Sequence, residues 1–376
     1  MQQRQFIPFA EVKSKKALVV DSTHANGFML SHWRGAPTPA EIQDDTSAAI
    51  VLHALRRQLP QLDLPYVSAN HFDIDGFVGV WALLYPEQAL ENEELLRQMA
   101  LIGDFRELDL NHPLAGEALK LVCWINAKER ELFYRPFAAD EAAEKEAAQC
   151  VQKFRYFLRE FGRVLQDPDW EKGAWEEEVG SVLLGYRDMY KPETKLARYP
   201  EIGLVVIETP HPVHYYALFS RTQGFDMVLA CYGQNRYELE YKYTTWVDIT
   251  SRPTLPRLPL APLAERLNQL ETSGRRWTHD SVTNTGPLLR LDGDKLSRTE
   301  AYDNPTEREI YPSSIPVPQL KEEVVRYYRQ GYQHIQPKCR WTWKEIKELG
   351  DTQYRKGAAT WLCSNLIVSL FTLLPF

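Results

Sequence analysis

Cysteine is scarce in this sequence, and its spacing excludes two structural classes. Cys123, Cys150, Cys231, Cys339 and Cys363 are odd in number, far apart and form no CxxC pair. That leaves no cysteine zinc site and no disulfide framework, and it fits thiols in a reducing compartment. An excess of positive charge is also missing. Lys and Arg number 44 against 51 Asp and Glu, a formal net charge of −7. Duplex DNA is therefore not an expected partner, whereas a small phosphorylated substrate or a short nucleic acid is compatible with this balance. Residues 1–16, MQQRQFIPFAEVKSKK, lack the apolar core of a secretory signal, and cytoplasm is the expected compartment.

Long hydrophobic runs are almost absent. One uncharged stretch, 358–376 (AATWLCSNLIVSLFTLLPF), follows Arg355 and Lys356. It approaches the roughly 20 apolar residues that span a bilayer, but Ser364, Asn365, Ser369 and Thr372 interrupt it. The expectation is a terminal helix within 346–376 docked on the body or on a second subunit, as in a homo-oligomer. A membrane anchor is the alternative. There is no internal repeat. No G-x-S-x-G elbow occurs either, which argues against a serine nucleophile drawn from Asp21, Ser22, His24, Ser31 and His32.

What is present reads as an α/β protein. With 376 residues and 44% hydrophobic content the chain can bury a full core. Residues 16–21 form an apolar strand ending on Asp21. A helix starts near Asp44-Asp45-Thr46, with Asp or Thr as N-cap, and carries Ala48, Ile50, Val51, Leu52 and Leu55 on one face. Residues 64–69 are a second strand and 77–84 a buried helix. Strand, helix, strand, loop, helix is the order of a parallel sheet. Residues 91–102 predict a helix stopped by Gly103. A helical insertion is expected at about 115–195, with the acid run 140–146 on a solvated face. Beyond Pro200, the segments 202–208, 215–220, 227–232 and 238–249 are β-rich and either complete the first sheet or begin another. Pro253, Pro256, Pro259 and Pro262 mark a linker into a helix over 263–271. A polar loop, 277–287, precedes a short strand at 288–291. The expected organisation is an α/β domain over 1–250 carrying the insertion, a smaller α+β part over 255–345, and the terminal helix.

The chemistry concentrates in His71-Phe72-Asp73-Ile74-Asp75-Gly76, placed between the second strand and the buried helix. Two carboxylates this close repel unless a positive charge lies between them, and imidazole with carboxylate oxygens suits manganese, zinc, iron or magnesium. A calcium loop is excluded, because its first position is His71 and its twelfth is Ala82 in place of an acid. A DxDG nucleophile of the haloacid-dehalogenase type fits poorly, since Ala69-Asn70-His71 interrupts the apolar approach and Phe77 follows the glycine. The structural alternative is that Asp73 and Asp75 cap a helix and Gly76 makes a left-handed turn.

The stretch Ser68 to Gly76 resembles the first motif of DHH-type phosphoesterases, although the Asp-His-His triplet is absent. The resemblance implies a parallel-sheet fold, and hydrolysis of a phosphoester or phosphoanhydride such as a short oligonucleotide, cyclic dinucleotide or polyphosphate. A divalent metal, Mn2+ or Mg2+, would activate water there. It makes His71, Asp73 and Asp75 metal ligands, lets Asp104 stand for a second-motif acid and His211 for a third-motif ligand, and leaves Asp248 as a fourth acid. His32 and Arg34, at the end of the neighbouring strand, are expected to position substrate, so that Asp73, Asp75, His32 and Arg34 form the catalytic set. The segments Ser31-His32-Trp33, His71 to Gly76 and Gly103-Asp104-Phe105 also resemble an uncharacterised bacterial protein family, which implies no activity. The rival reading is a catalytically degenerate nucleotide-binding or scaffold module of the same fold.

Overall fold

The computed structural model describes residues 4–133 and 143–349. Among the described residues the chain is mixed α/β, with two sheets. The first is four-stranded, all parallel, in the order β1-β4-β2-β3. Its strands are β1 (Gln5–Phe6), β2 (Ala17–Val20), β3 (Gly27–Leu30) and β4 (Tyr66–Ser68). β2 is buried along its whole length, as its unbroken Ala-Leu-Val-Val run requires of a central parallel strand.

The helix α1 (Ser47–Arg56) begins where Thr46 caps it, its hydroxyl accepting the Ala49 N–H at 3.2 Å. The helix α2 (Ile74–Leu84) is almost wholly apolar and almost wholly buried. It lies against β2 at Gly79, where a methyl group would come within 2.7 Å of Val20 Cγ1. α3 (Pro86–Glu91) and α4 (Glu93–Phe105) follow, then α5 (Ala115–Leu132), α6 (Ala143–Gln166) and α7 (Lys172–Asp188). Phe72 of the motif is driven into the core between Phe77 and α6, its ring 5.0 Å from that of Phe157 and 5.1 Å from that of Phe154. This apolar anchor fixes the loop whose polar residues face the other way.

The second sheet is six-stranded, in the order β5-β6-β7-β8-β10-β9. It uses β5 (Lys195–Tyr199), β6 (Leu204–Thr209), β7 (Met227–Tyr232), β8 (Arg236–Tyr241), β9 (Trp277–His279) and β10 (Leu288–Leu291). Only β6 and β7 pair in parallel, and α8 (Tyr215–Phe219) joins them. α9 (Ala261–Leu270), α10 (Arg298–Tyr302) and α11 (Val317–Tyr332) complete the named elements, and 343–349 is also helical.

Of the two alternatives for the β-rich segments beyond Pro200, the strands take the second: they form another sheet with β9 and β10, and its hydrogen bonds run across position 250. Three expectations are corrected. Residues 215–220 are helical where a strand was expected, because parallel β6 and β7 need a crossover between them. The strand expected over 238–249 ends at Tyr241 and turns into a 3-10 helix, Tyr243–Thr245. Gly103 does not stop α4. It lies inside the helix, where the missing side chain makes room for Ile74 (an added Cβ would sit 2.5 Å from Ile74 Cβ), and the helix runs to Phe105 and is capped by left-handed Arg106.

The two sheets are joined beside the motif. Trp33 pairs with Val247 in an isolated bridge, the Asp248 N–H donates to the His32 carbonyl at 2.8 Å, and Asp45 accepts from Thr250 and Ser251. Among the described residues no helix is long and apolar enough to cross a membrane. The stretch 350–376 lies outside the described residues. With it fall Cys363 and most of the terminal helix expected over 346–376. In the acid run, 140–142 also lies outside them, and the side chains of 143–146 are not described.

Candidate metal centre

The carboxyl ends of three adjacent strands, β4, β2 and β3, open on one crevice, where ligands of parallel sheets collect. Each delivers an acid or an imidazole. Asp21 follows β2 in a left-handed conformation (φ 46°), His32 follows β3, and His71 and Asp73 follow β4. α2 adds Asp75 from its first turn, and α4 adds Asp104 from its last.

The buried half of the cluster is built around the N-terminus of α1. Asp75 is fully buried and accepts the Ser47 N–H on Oδ2 at 2.7 Å and the Ala48 N–H on Oδ1 at 2.8 Å. With Thr46 on Ala49, this satisfies the first donors of α1. The Ser47 hydroxyl donates to Asp21 Oδ1 at 2.7 Å. His32 is held by its Nδ1, 2.5 Å from the Asp45 carbonyl. A carbonyl only accepts, so Nδ1 carries the hydrogen, and in the neutral ring Nε2 is a lone pair. That atom faces Asp21 Oδ1 at 3.1 Å, Asp75 Oδ2 at 3.7 Å and Asp104 Oδ2 at 3.9 Å. Asp104 Oδ2 is buried and has no hydrogen-bond partner among the described residues. An acceptor facing three acceptors is repulsive away from water; a proton on Nε2 or a cation among the oxygens relieves it.

The outer half is half-exposed. His71 Nε2 lies 3.0 Å from Asp73 Oδ2 and 3.4 Å from Asp21 Oδ2, and its Nδ1 is 2.6 Å from Asn70 Oδ1. Asp73 is the N-cap of α2, with Oδ1 accepting the Gly76 N–H at 2.7 Å. Two groups that could hold a metal ion result, Asp21–His32–Asp75 and Asp21–His71–Asp73, each with its donor atoms within 4.8 Å of one another. Asp21 belongs to both and turns one oxygen to each imidazole.

The electrostatics follow from crowding. Burial pushes Asp75 up to about 7, with the charges of Asp21 and Asp73 adding to it and His32 and the Ala48 N–H opposing. Burial likewise raises Asp104 well above the usual carboxylate value, reinforced by Asp75, Asp73 and Asp21. Asp21 runs the other way: burial is outweighed by its bond to His32 and by both imidazoles, which hold it at about 2. For His32, burial is outweighed by its bond to Asp21 and the charges of Asp104, Asp21 and Asp75, so its pKa stands well above normal. His71 stands at about 9, because Asp73, Asp21 and Asp104 outweigh its desolvation. Crowding thus makes His32, His71, Asp75 and Asp104 hold their protons more tightly than isolated groups would.

The fold thus brings together His32, His71, Asp73, Asp75 and Asp104. His211 is not among them. It is exposed in the loop after β6, while nearby His214 is buried as the cap of α8 and lies 3.7 Å from Glu178. Arg34 does not present a free fork to a substrate. Its Nη2 donates to the carbonyls of Thr245 (2.6 Å) and Val247 (2.9 Å), its Nη1 donates to that of Trp341, and Asp248 lies 3.6 Å away. Asp248 accepts the Gly35 N–H and belongs to that join. Gly76 has no left-handed turn to supply. It lies inside α2, where a Cβ would meet Asp73 Oδ1 at 3.0 Å and Asp21 Cβ at 3.3 Å.

Asp21 and Ser47 belong to the cluster but were not among the expected site residues. The signal for Asp21 was an acid ending an apolar strand in register with the motif strand. For Ser47 there was none, since a helix N-terminus reveals nothing of what faces it. A cavity of about 280 Å3 has His32, Trp33, Asp248 and Trp341 in its wall. Another, of about 490 Å3, lies by Arg106, Glu178 and Tyr215, and none of the cluster residues lines it.

Residues 2–339 match a family described as a family of unknown function (DUF6687), and the chain belongs to that family. No curated protein and no solved structure matches it.

Proposed function

We propose that this member of the DUF6687 family is a metal-dependent hydrolase of a phosphoester or phosphoanhydride. The observation that carries the metal part is the buried Nε2 of His32 facing Asp21, Asp75 and the unpartnered Oδ2 of Asp104. Imidazole nitrogen and carboxylate oxygen are a donor set for Mn2+ or Mg2+, and a buried carboxylate oxygen without a hydrogen-bond donor suits a cation. Divalent cations bound there would lower the pKa of water and stabilise charge on phosphorus-bound oxygens. The reaction class comes from the DHH-type resemblance of Ser68 to Gly76. It is supported by the strand–loop–helix setting in which those residues lie.

The protein's own groups act by orientation. The Asp45 carbonyl fixes the His32 tautomer, the α1 N–H groups hold both oxygens of Asp75, and the Gly76 N–H holds Asp73. Such outer contacts keep ligating atoms aimed before a cation arrives. Asp21, shared by the two groups, would serve as a ligand common to both if each held a cation.

Calorimetry with Mn2+ and turnover of bis-p-nitrophenyl phosphate test the proposal. The protein is expected to bind Mn2+ and release nitrophenol only with the metal present, and Asp21→Asn is expected to abolish both. Failure of the folded wild-type protein to bind Mn2+ or Mg2+ refutes it.

A further inference from the structure

Beside the open half of the cluster lies Trp33, the first of three half-buried tryptophans that meet in a row. The Trp33 ring is 5.6 Å from that of His71. Trp246 meets Trp33 edge to face at 5.1 Å and 88°, and Trp343 meets Trp246 at 5.8 Å and 64°. They come from distant parts of the chain, and one side chain gathers them. Arg34, adjacent to Trp33, donates to the carbonyls on both sides of Trp246 and to that of Trp341, and its guanidinium stands 5.3 Å over the Trp343 ring. A guanidinium committed in this way is a positioning device, and what it positions is a row of indoles at the mouth of the cluster.

A second arginine fixes the edge of the row. Arg257, fully buried, donates to the carbonyls of Val282 (2.9 Å), Thr285 (2.7 Å) and Asn284, which orders the polar loop between β9 and β10. The Trp246 Nε1–H donates to the Thr283 carbonyl in that loop at 3.3 Å. The exposed side chains of Ser281, Thr283 and Asn284 therefore stand next to the indoles. Ordered aromatic faces with hydrogen-bonding groups at their edge suit a flat heteroaromatic ring, and stacking on them tolerates any base.

We infer that Trp33, Trp246 and Trp343 form a stacking subsite for the base of a nucleotide whose phosphate lies at the Asp–His cluster. The substrates are then nucleotides or short oligonucleotides, and inorganic polyphosphate is disfavoured. The inference rests on the metal-hydrolase reading for the phosphate and on the tryptophans alone for the base.

The test is calorimetry on the full chain with Mn2+, adenosine 5′-monophosphate and inorganic phosphate. Wild-type protein is expected to bind the nucleotide more tightly than phosphate. Trp33→Ala and Trp246→Ala are each expected to weaken nucleotide binding by roughly 10- to 100-fold, the usual loss for one base–aromatic contact, with phosphate and Mn2+ binding unchanged. Trp33→Phe, which keeps a stacking face and guards against misfolding of the alanine variant, should retain most of the affinity. Trp170→Ala, at a 55% exposed indole outside the row, should change nothing. Mn2+ binding with nucleotide no tighter than phosphate, or equal losses for both ligands in the Trp33 variants, overturns the subsite and spares the metal reading. No Mn2+ binding, but nucleotide binding that Trp33→Ala removes, overturns the metal reading and sustains the subsite.

Discussion

Asp75→Asn separates the two roles that the buried carboxylate can have, as a cap for α1 and as a ligand. Each oxygen of Asp75 now accepts one N–H from the start of α1, at 2.7 and 2.8 Å, and Oδ2 also faces His32 at 3.7 Å. Asparagine keeps one acceptor and turns an NH2 toward the other backbone N–H. That leaves a buried donor unpaired, at about 1–3 kcal/mol. The loss is lessened because the amide also removes a charge that burial disfavours, an effect larger than the attraction of His32 that is lost with it. In EDTA the variant should therefore be only modestly destabilised. Mn2+ makes the difference. At about 100 times its Kd, a cation that binds only the folded protein adds about 2.7 kcal/mol of stability. If the substitution weakens binding about 100-fold, the gain at the same concentration falls to about 0.4 kcal/mol. The assay is thermal unfolding of wild type and variant, each in EDTA and in Mn2+. Equal upward shifts with Mn2+ in both proteins would refute the ligand role and leave Asp75 as a helix cap.

Two further outcomes can be checked on the same preparations. His71 and Asp75 both have folded pKa values raised above their unfolded ones, to about 9 and about 7. A raised pKa contributes stability that is lost as pH rises through it, so the EDTA-treated protein should melt progressively lower from about pH 4 to about pH 9. Mn2+ should restore stability at the alkaline end by replacing protons; a metal-free melting temperature that rises over this range would contradict the sign. Gly103→Ala drives a methyl against Ile74 at 2.5 Å and should cost about 1–3 kcal/mol, more than the helix-propensity gain of about 1 kcal/mol returns. Because Asp104 is the next residue, Mn2+ affinity measured by calorimetry should fall as well, and an unchanged melting temperature with unchanged affinity would count against the close packing.

Local chemistry was legible in the chain where one segment carries its own instructions. Thr46 caps α1 because a hydroxyl can reach its own helix N–H, and the apolar run behind the motif is helical and buried as its composition requires. His71, Asp73 and Asp75 are close together because they are neighbours in sequence. The strand read over 64–69 and the one ending at Asp21 are both present, as Tyr66–Ser68 and Ala17–Val20, and adjacent. Reading stopped where an interaction joins distant segments. The segment 215–220 has β-forming residues yet is helical, since its conformation is set by the parallel pair it connects.

The sequence by itself determined an α/β chain with an acid- and histidine-bearing turn between a strand and a helix, because periodicity, capping and turn chemistry act over a few residues. Only the tertiary structure decided that Asp21 is shared between two imidazoles, that Asp104 arrives from the last turn of α4, and that Arg34 is consumed in holding Thr245, Val247 and Trp341. It also decided that His211 stands apart in an exposed loop. The reason is that burial and convergence belong to packed elements: a carboxylate's partners and a guanidinium's carbonyls exist only once segments hundreds of residues apart have met.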